Sequence, residues 1–492
     1  MNRQPQTSRS GKVFVFVAIS VPALFGVVGL VFDTGLIMAD KENLQHAADA
    51  AATAAAMDLL ENKTNAAATA TAASYLQTLN GFSDAQVTTN IPPASGPYAG
   101  RSGFVEVIAT RQHSNVIIQI VGAALQMPIT ARAVAGFSAS TVGSAVVVLD
   151  PTPNALSIDS SSLSLPALPS YPALIGGLNV PGLGAVEVNG AVLVNTTWGG
   201  VDQNGKAAGT GSGPPWGIAC TSALPLTQLK AVDIRVVGGV DDQSNYASYT
   251  QGQTSPLRAN ALSVQDPFDQ LPAPCLASDP VNVSTTDYGG VQVVQLPLLP
   301  PKVFNPGVYD WIEIDLGNVV FNPGIYIIRS INPATQIALN MLGGTVTANG
   351  VLFYITNSTS YDAATGAPDS GDGDTRPADP GMSAMAPSVV INAALPGTSF
   401  SPLATGSSPF GGMLIYQRRQ DYRPIIVVYQ SLLGSAAFQG AVYAKWGHFL
   451  FAGDGTLNMS IVAGTARLVP VLGLTIQPTS LLAPAYDVYL FE

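Results

Sequence analysis

The sequence predicts a mixed fold. An N-terminal transmembrane helix and a small α/β module come first, followed by a large all-β domain built as a parallel β-helix, with a β-sandwich as the alternative. Three observations carry this. Val13 to Phe32 (VFVFVAISVPALFGVVGLVF) is an uncharged run of 20 residues. The 492-residue chain is only 10% charged and holds 49 Gly and 37 Pro, whereas an ordinary globular domain has about a quarter charged residues. Finally, NPGVY (Asn305 to Tyr309) recurs as NPGIY (Asn322 to Tyr326) within a field of short β-branched and aromatic runs.

The apolar run makes about 30 Å of helix, the hydrocarbon thickness of a bilayer. Pro22, Gly26 and Gly29 weaken a soluble helix but are tolerated in a membrane one. Arg3, Arg9 and Lys12 precede it and no acid occurs before Asp33. The positive-inside rule therefore keeps residues 1–12 in the cytoplasm and puts the chain after Phe32 outside, with Asp33 marking the water boundary. A cleaved signal would have a shorter apolar core and a small-x-small cleavage site. Ile37-Met38-Ala39 is a poor match to such a site.

Beyond the span, LQHAADAAATAAAMDLL (Leu44 to Leu60) has high helix propensity through its alanines. Ala47, Ala51 and Ala55 share one face, and Ala48, Ala52 and Ala56 the next, a small-residue stripe that admits a close neighbour or faces water as a spacer. Gly103 to Ala109 (GFVEVIA) alternates like a strand, Asn115 to Gly122 (NVIIQIVG) suits a short helix or strand, and Met127 to Ala135 (MPITARAVA) reads as a strand. The expected layout is 1–12 tail, 13–32 span, 33–140 helix and module, 145–470 extracytoplasmic β domain and 471–492 C-terminal tail.

In the β domain, Asn-Pro-Gly is a turn in which Pro fixes φ and Gly supplies a positive one, launching a strand in a set direction. The two copies are 17 residues apart (322 minus 305). Related units follow at GVLFYI (Gly350 to Ile355), GMLIYQ (Gly412 to Gln417) and GAVYA (Gly440 to Ala444). Turn-plus-strand repeats at short spacing are the mark of a solenoid. Gly199 to Gly213 and Tyr361 to Met382 interrupt them as polar, glycine-rich loops.

The short basic tail, the Pro- and Gly-containing span, Asp33 and LQHAADAAATAAA come in order with GFVEV, IVG and ITARAVAG (Gly103 to Gly136). Together they resemble the N-terminal region of TadG-like proteins of the Flp, or tight-adherence, pilus-assembly system, over about residues 10 to 140. The later half also looks like the C-terminal regions that accompany such N-termini, through LDPTPNALSI (Leu149 to Ile158), VLVNTT (Val192 to Thr197), DPFDQLPAP (Asp266 to Pro274) and the turn units. The resemblance implies an inner-membrane protein that helps build or anchor an adhesive pilus. Its helix Leu44 to Leu60 and Gly103 to Gly136 would dock on pilus-assembly proteins. Two departures limit it. Pilins carry Glu five residues after a cleaved glycine, where Gly11 is followed here by Phe16. Longer members carry an Asp-x-Ser-x-Ser metal site, but Asp150 is followed by Pro151, Thr152, Pro153 and Asn154.

A net charge of -11 and a pI near 4.6 exclude nucleic acid as a partner, since phosphate contacts need clustered Lys and Arg. Surface polysaccharide or a neighbouring cell is the competing ligand for the β domain. Cys220 and Cys275, in an oxidising compartment, are candidates for a disulfide, with two free buried thiols as the alternative. His46, His113 and His448 are too scattered for zinc. Asp369, Asp372, Asp374 and Asp379 lie in one loop that is either a calcium ligand set or a solvated, mobile segment. No catalytic motif, cofactor motif or metal motif is present. The nearest approach to chemistry is YDWIEID, where Trp311, Glu313 and Asp315 share a strand face with the acids about 6.6 Å apart. An inverting glycosidase needs roughly 6.5–9.5 Å, but simple alternation makes such pairs freely. A non-enzymatic protein is expected.

Overall fold

The computed structural model describes residues 10–61, 63–117, 126–154, 174–220, 227–377, 386–406, 408–429, 437–479 and 481–491. The chain divides into two compact units, Met1–Ser140 with Tyr486–Glu492, and Thr141–Ala485.

In the first unit, helix α1 (Ser10–Leu60) runs unbroken for 51 residues through Pro22, about 76 Å at 1.5 Å per residue. Helix α2 (Asn65–Ser74) starts at Thr64, whose hydroxyl accepts the Ala67 N–H and satisfies an amide left orphaned at the helix start. Strands β1 (Gln86–Asn90), β2 (Phe104–Ser114) and β3 (Gln126–Val148) pair antiparallel in sequence order, Asn90 opposite Glu106, Phe104 opposite Gly136 and Ser114 opposite Gln126. Alternate residues of the hairpin, Val105, Val107 and Ala109 with Ile129, Ala131, Ala133 and Ala135, bury one face, as the period of two dictates. Most of Asn115 to Gly122 lies outside the described residues.

The end of the chain returns to this unit. The Phe491 N–H donates to the Val134 carbonyl at 2.8 Å, and its ring packs against Tyr98 and Phe104. Residues 471–492 are therefore not a tail. They finish the strand Ala437–Gln477 and form the strand Pro484–Leu490.

The second unit is a parallel solenoid, which excludes an antiparallel sandwich. Among the described residues, its strands between 290 and 453 fall into three stacks. One begins with Gly307–Tyr309, Gly324–Ile328, residues 351–355, Met413–Gln417 and residues 441–443. These are the NPG-x-Y, GVLFYI, GMLIYQ and GAVYA segments, so the repeated units lie above one another on a single face. A second holds Gly290–Val294, Trp311–Leu316, Leu339–Met341, Val389–Asn392, Ile425–Tyr429 and residues 449–453. The third holds Lys302–Phe304, Asn318–Phe321, residues 345–348, 399–400 and 437–438. Inward positions stack apolar on apolar: Ile312, Leu339, Val389, Ile425 and Phe449 pair coil to coil and are fully buried. Each such side chain contributes about 1.5–3 kcal/mol.

The coils are not stacked in chain order. Residues 146–148 lie under 192–194, which lie under 234–236 and then 257–259. The chain then crosses through 260–289 and starts again at Gly290–Val294. It winds until residues 461–463, 466–467 and 473–476 pair with 146–148, 178–179 and 185–188. The last coil thus closes on the first.

The NPG-x-Y repeat has a stereochemical reason. The Tyr309 hydroxyl donates to the Asn305 carbonyl and Tyr326 to that of Asn322, each at 2.7 Å, and Asn322 Nδ2 donates to Asn305 Oδ1 at 2.8 Å. Each tyrosine closes its own turn while the asparagines tie successive turns. Gly324 has φ +138°, and a Cβ there would lie 2.4 Å from Pro306 Cγ of the coil below, so only glycine fits. The 17-residue spacing becomes a 19-residue register (326 minus 307), because Gly307 pairs with Tyr326.

Candidate functional site

The part of α1 from Val13 to Phe32 presents its large apolar side chains outward: Phe14, Phe16, Leu24 and Phe25 are all mostly exposed. A core helix of a soluble protein would bury such a stretch; this one is long and apolar enough to cross a membrane. The helix continues without a break into the module, where Ala47, Ala48, Ala51, Ala52, Ala55 and Ala56 are essentially fully buried against the hairpin and against Ala68, Ala72 and Leu76. The small-residue stripe does admit a close neighbour, but that neighbour is the unit's own sheet. It is not a free docking face for another protein, which corrects the role expected for Leu44 to Leu60.

Polar ties fix the hairpin to α1. Arg111 Nη1 meets Asp40 Oδ1 at 3.0 Å and His113 Nδ1 lies 2.9 Å from Asp40 Oδ2. One turn pair lower, the Ile117 N–H donates to Asp33 Oδ2 at 2.9 Å and the Val116 N–H to Asp33 Oδ1 at 3.2 Å. Asp33 is only 1% exposed. It does not face water at the membrane boundary; it is covered by the hairpin. Asp40 is the first acid with solvent access. Elsewhere in the sheet Glu106 is buried but accepts from Asn90, Ser95, the Ala94 N–H and Arg132. Burial pushes its carboxyl up, and these hydrogen bonds outweigh that and bring it down to about 2.

The second unit redistributes the other candidates. Cys220 and Cys275 are free and buried, so the structure holds no disulfide between them. Cys220 sits near Asp241 and Tyr246, and burial pushes its thiol well up; Cys275 packs by Gly366 and Ser278. Glu313 and Asp315 do not share an open groove. Glu313 is buried and bonded to Asn332, Thr335 and Asn340, while Asp315 accepts from Gln292 at 2.8 Å. His46, His113 and His448 stand apart, His448 buried with Nδ1 2.7 Å from Thr465 Oγ1, and no group of three metal-ligating side chains forms among the described residues.

The aspartate loop is clasped rather than solvated. Asp372 takes a two-pronged bond from Arg418 at 2.7 and 2.8 Å, a geometry matched to guanidinium. Arg418 also reaches Asp369 at 3.1 Å, which accepts the Tyr354 hydroxyl at 2.6 Å. Lys445 bonds Asp374 and Asp266. Arg376 binds the Thr152 carbonyl at 2.7 Å and Asp150 at 3.1 Å. Arg419 donates to the Phe268, Asp269 and Leu271 carbonyls at 2.6–2.9 Å. Asp379 lies outside the described residues. Sequence reasoning missed these arginines. Their signal was present in QRRQDYR (Gln417 to Arg423), a basic cluster in a chain with 20 Lys and Arg in all.

An apolar helix rooted in a small sheet, followed by a parallel β-helix, fits a single-pass membrane anchor that carries a large solenoid domain. Residues 11–58 match the Tad family model, described as "Putative Flp pilus-assembly TadE/G-like". The match takes in both the apolar span and the buried alanine stripe, so this segment is similar to the Tad domain of Flp pilus-assembly proteins and carries a helix long and apolar enough to cross a membrane. No curated protein and no solved structure matches the chain.

Proposed function

We propose that this protein is a non-enzymatic component of Flp-type pilus assembly, held in the inner membrane by one span with its N-terminus in the cytoplasm and both units on the other side. The observation that carries this is the coincidence of the Tad match with a helix that is lipid-suited in its first half and the core of a folded module in its second. The basic residues Arg3, Arg9 and Lys12 ahead of the span support the orientation. The hydrogen bonds from the hairpin to Asp33 support a retained anchor, because cleavage after Ala39 would remove that partner. Full commitment of Glu313 to Asn332, Thr335 and Asn340 supports a structural rather than catalytic role. Partners are other pilus-assembly proteins, and the solenoid is the surface that serves adhesion.

The test is deletion of the gene with surface pili counted by electron microscopy and attachment scored in parallel. Loss of pili, restored by the full chain but not by one whose residues 1–140 are replaced with an unrelated anchor, is expected. Persistent pili with reduced attachment would refute the assembly role and leave a surface protein that binds polysaccharide or cells. Release of reducing ends from polysaccharide by the full-length protein, abolished by Glu313→Gln, would refute the non-enzymatic reading.

A further inference from the structure

The end of the β2–β3 hairpin lies deeper along α1 than the rest of the module. Going down the helix, Asp40 is met by Arg111 and His113, Asp33 by the backbone of Val116 and Ile117, and Gly29 by Ile117. From Asp40 to Gly29 is eleven residues, about 16 Å of helix. Gly29 belongs to the apolar span, about 4.5 Å inside its Phe32 end. A Cβ on Gly29 would stand 2.7 Å from Ile117 Cγ2, so the glycine creates the space into which the hairpin side chain fits.

Three further facts accompany this depth. Asp33, the only charged residue between Val13 and Met38, is hidden, so the exposed surface of α1 is free of charge from the span up to Met38, which is itself 69% exposed. The arms of the hairpin end in exposed apolar side chains, Val116 at 54% and Met127 at 46%. Between them the sequence VIIQIVGAAL (Val116 to Leu125) has no charge. An apolar surface continuous with a membrane span is covered most simply by the same lipid.

We propose that the end of this hairpin, at Val116, Ile117 and Met127, is a second membrane contact. It enters the outer edge of the bilayer beside α1, with Asp33 buried between them and accepting the Val116 and Ile117 N–H groups. The module then stands on the membrane at two points, which fixes its tilt and its rotation about α1. This rests on the reading of α1 as a membrane span.

The experiment uses the full chain in phosphatidylcholine–phosphatidylglycerol vesicles, with an environment-sensitive thiol probe on Val116→Cys or Met127→Cys. Cys220 and Cys275 are buried and stay unlabelled in the folded protein. Val21→Cys reports on the span and Thr88→Cys on the water-facing side of the module. The expected result is that the probes at 116 and 127 are quenched several-fold more by nitroxide lipids than by iodide, as at 21, while the probe at 88 shows the reverse. If 116 and 127 behave like 88 while 21 is in lipid, the inference is overturned and the span stands. Shielding at 116 and 127 from both quenchers means that protein covers the hairpin, which also overturns it. Iodide quenching at 21 would overturn the span and the inference together.

Discussion

Removing Arg418 tests whether the aspartate loop is held by charge pairing. In Arg418→Ala, Asp372 loses both prongs of its bond and Asp369 loses its cation while keeping the Tyr354 hydroxyl and Thr356. The Asp369 side chain is 1% exposed and that of Arg418 is 20% exposed. Breaking a buried pair by removing one partner costs about 3–5 kcal/mol, and the partial exposure of Arg418 selects the lower end. With about 3 kcal/mol less holding the loop, its open population rises about 100-fold at one decade per 1.4 kcal/mol, and so does cleavage when opening is faster than proteolysis. The assay is limited proteolysis of the detergent-solubilised full chain, following cuts within 361–377.

The loss depends on pH in a fixed direction. Burial raises the Asp369 carboxyl above its ordinary range, with the Thr356 and Tyr354 hydrogen bonds and the Arg418 charge opposing that rise. Without Arg418 it moves higher still. A folded-state value above the unfolded one means that the folded loop takes up the proton first, so stability rises as pH falls through the folded value. The destabilisation is therefore greatest at neutral pH and shrinks toward acid. Adding Asp369→Asn to Arg418→Ala should restore most of the protection at neutral pH. Equal cleavage of wild type and Arg418→Ala at neutral pH, or a defect that neither acid nor the second substitution relieves, would refute the clasp.

Two further outcomes are expected. Ala51→Leu inserts a branched side chain at a fully buried position of the cluster that packs α1 against α2 and the hairpin; overpacking of this kind costs about 1–3 kcal/mol, read as a lower melting temperature of the first unit by circular dichroism, whereas Gly373→Ala, which meets nothing within 4 Å, leaves melting unchanged. Glu106→Gln removes a carboxylate that the fold holds at about 2. Because the folded value lies below the unfolded one, its contribution is present above the ordinary carboxylate range and is lost as pH falls toward 2; urea unfolding should therefore show a large wild-type advantage at neutral pH that closes in acid, and a gap independent of pH would contradict the assignment.

Local chemistry determined the element types. Twenty uncharged residues can only be satisfied as helix in lipid, alternation made β2 and β3 readable, and the Asn-Pro-Gly turns announced stacked coils because each turn is closed by its own tyrosine four residues away. Such signals act over a few residues, so the sequence carries them openly. What only the tertiary structure decided acts over long separations. The alanine stripe is equally suited to any close neighbour, and only the folded chain makes that neighbour β2 and β3. The closure of 461–463 on 146–148 leaves no mark, because an inward-facing apolar position of one coil accepts that of almost any other. The unpaired cysteines and the joining of Arg418 to Asp372 across 46 residues depend on which coils become adjacent. The concealment of Asp33 beneath the hairpin is of the same kind, since its partners lie 83 and 84 residues away. Periodicity fixes what a segment becomes; the neighbour it meets depends on how the whole chain folds back on itself.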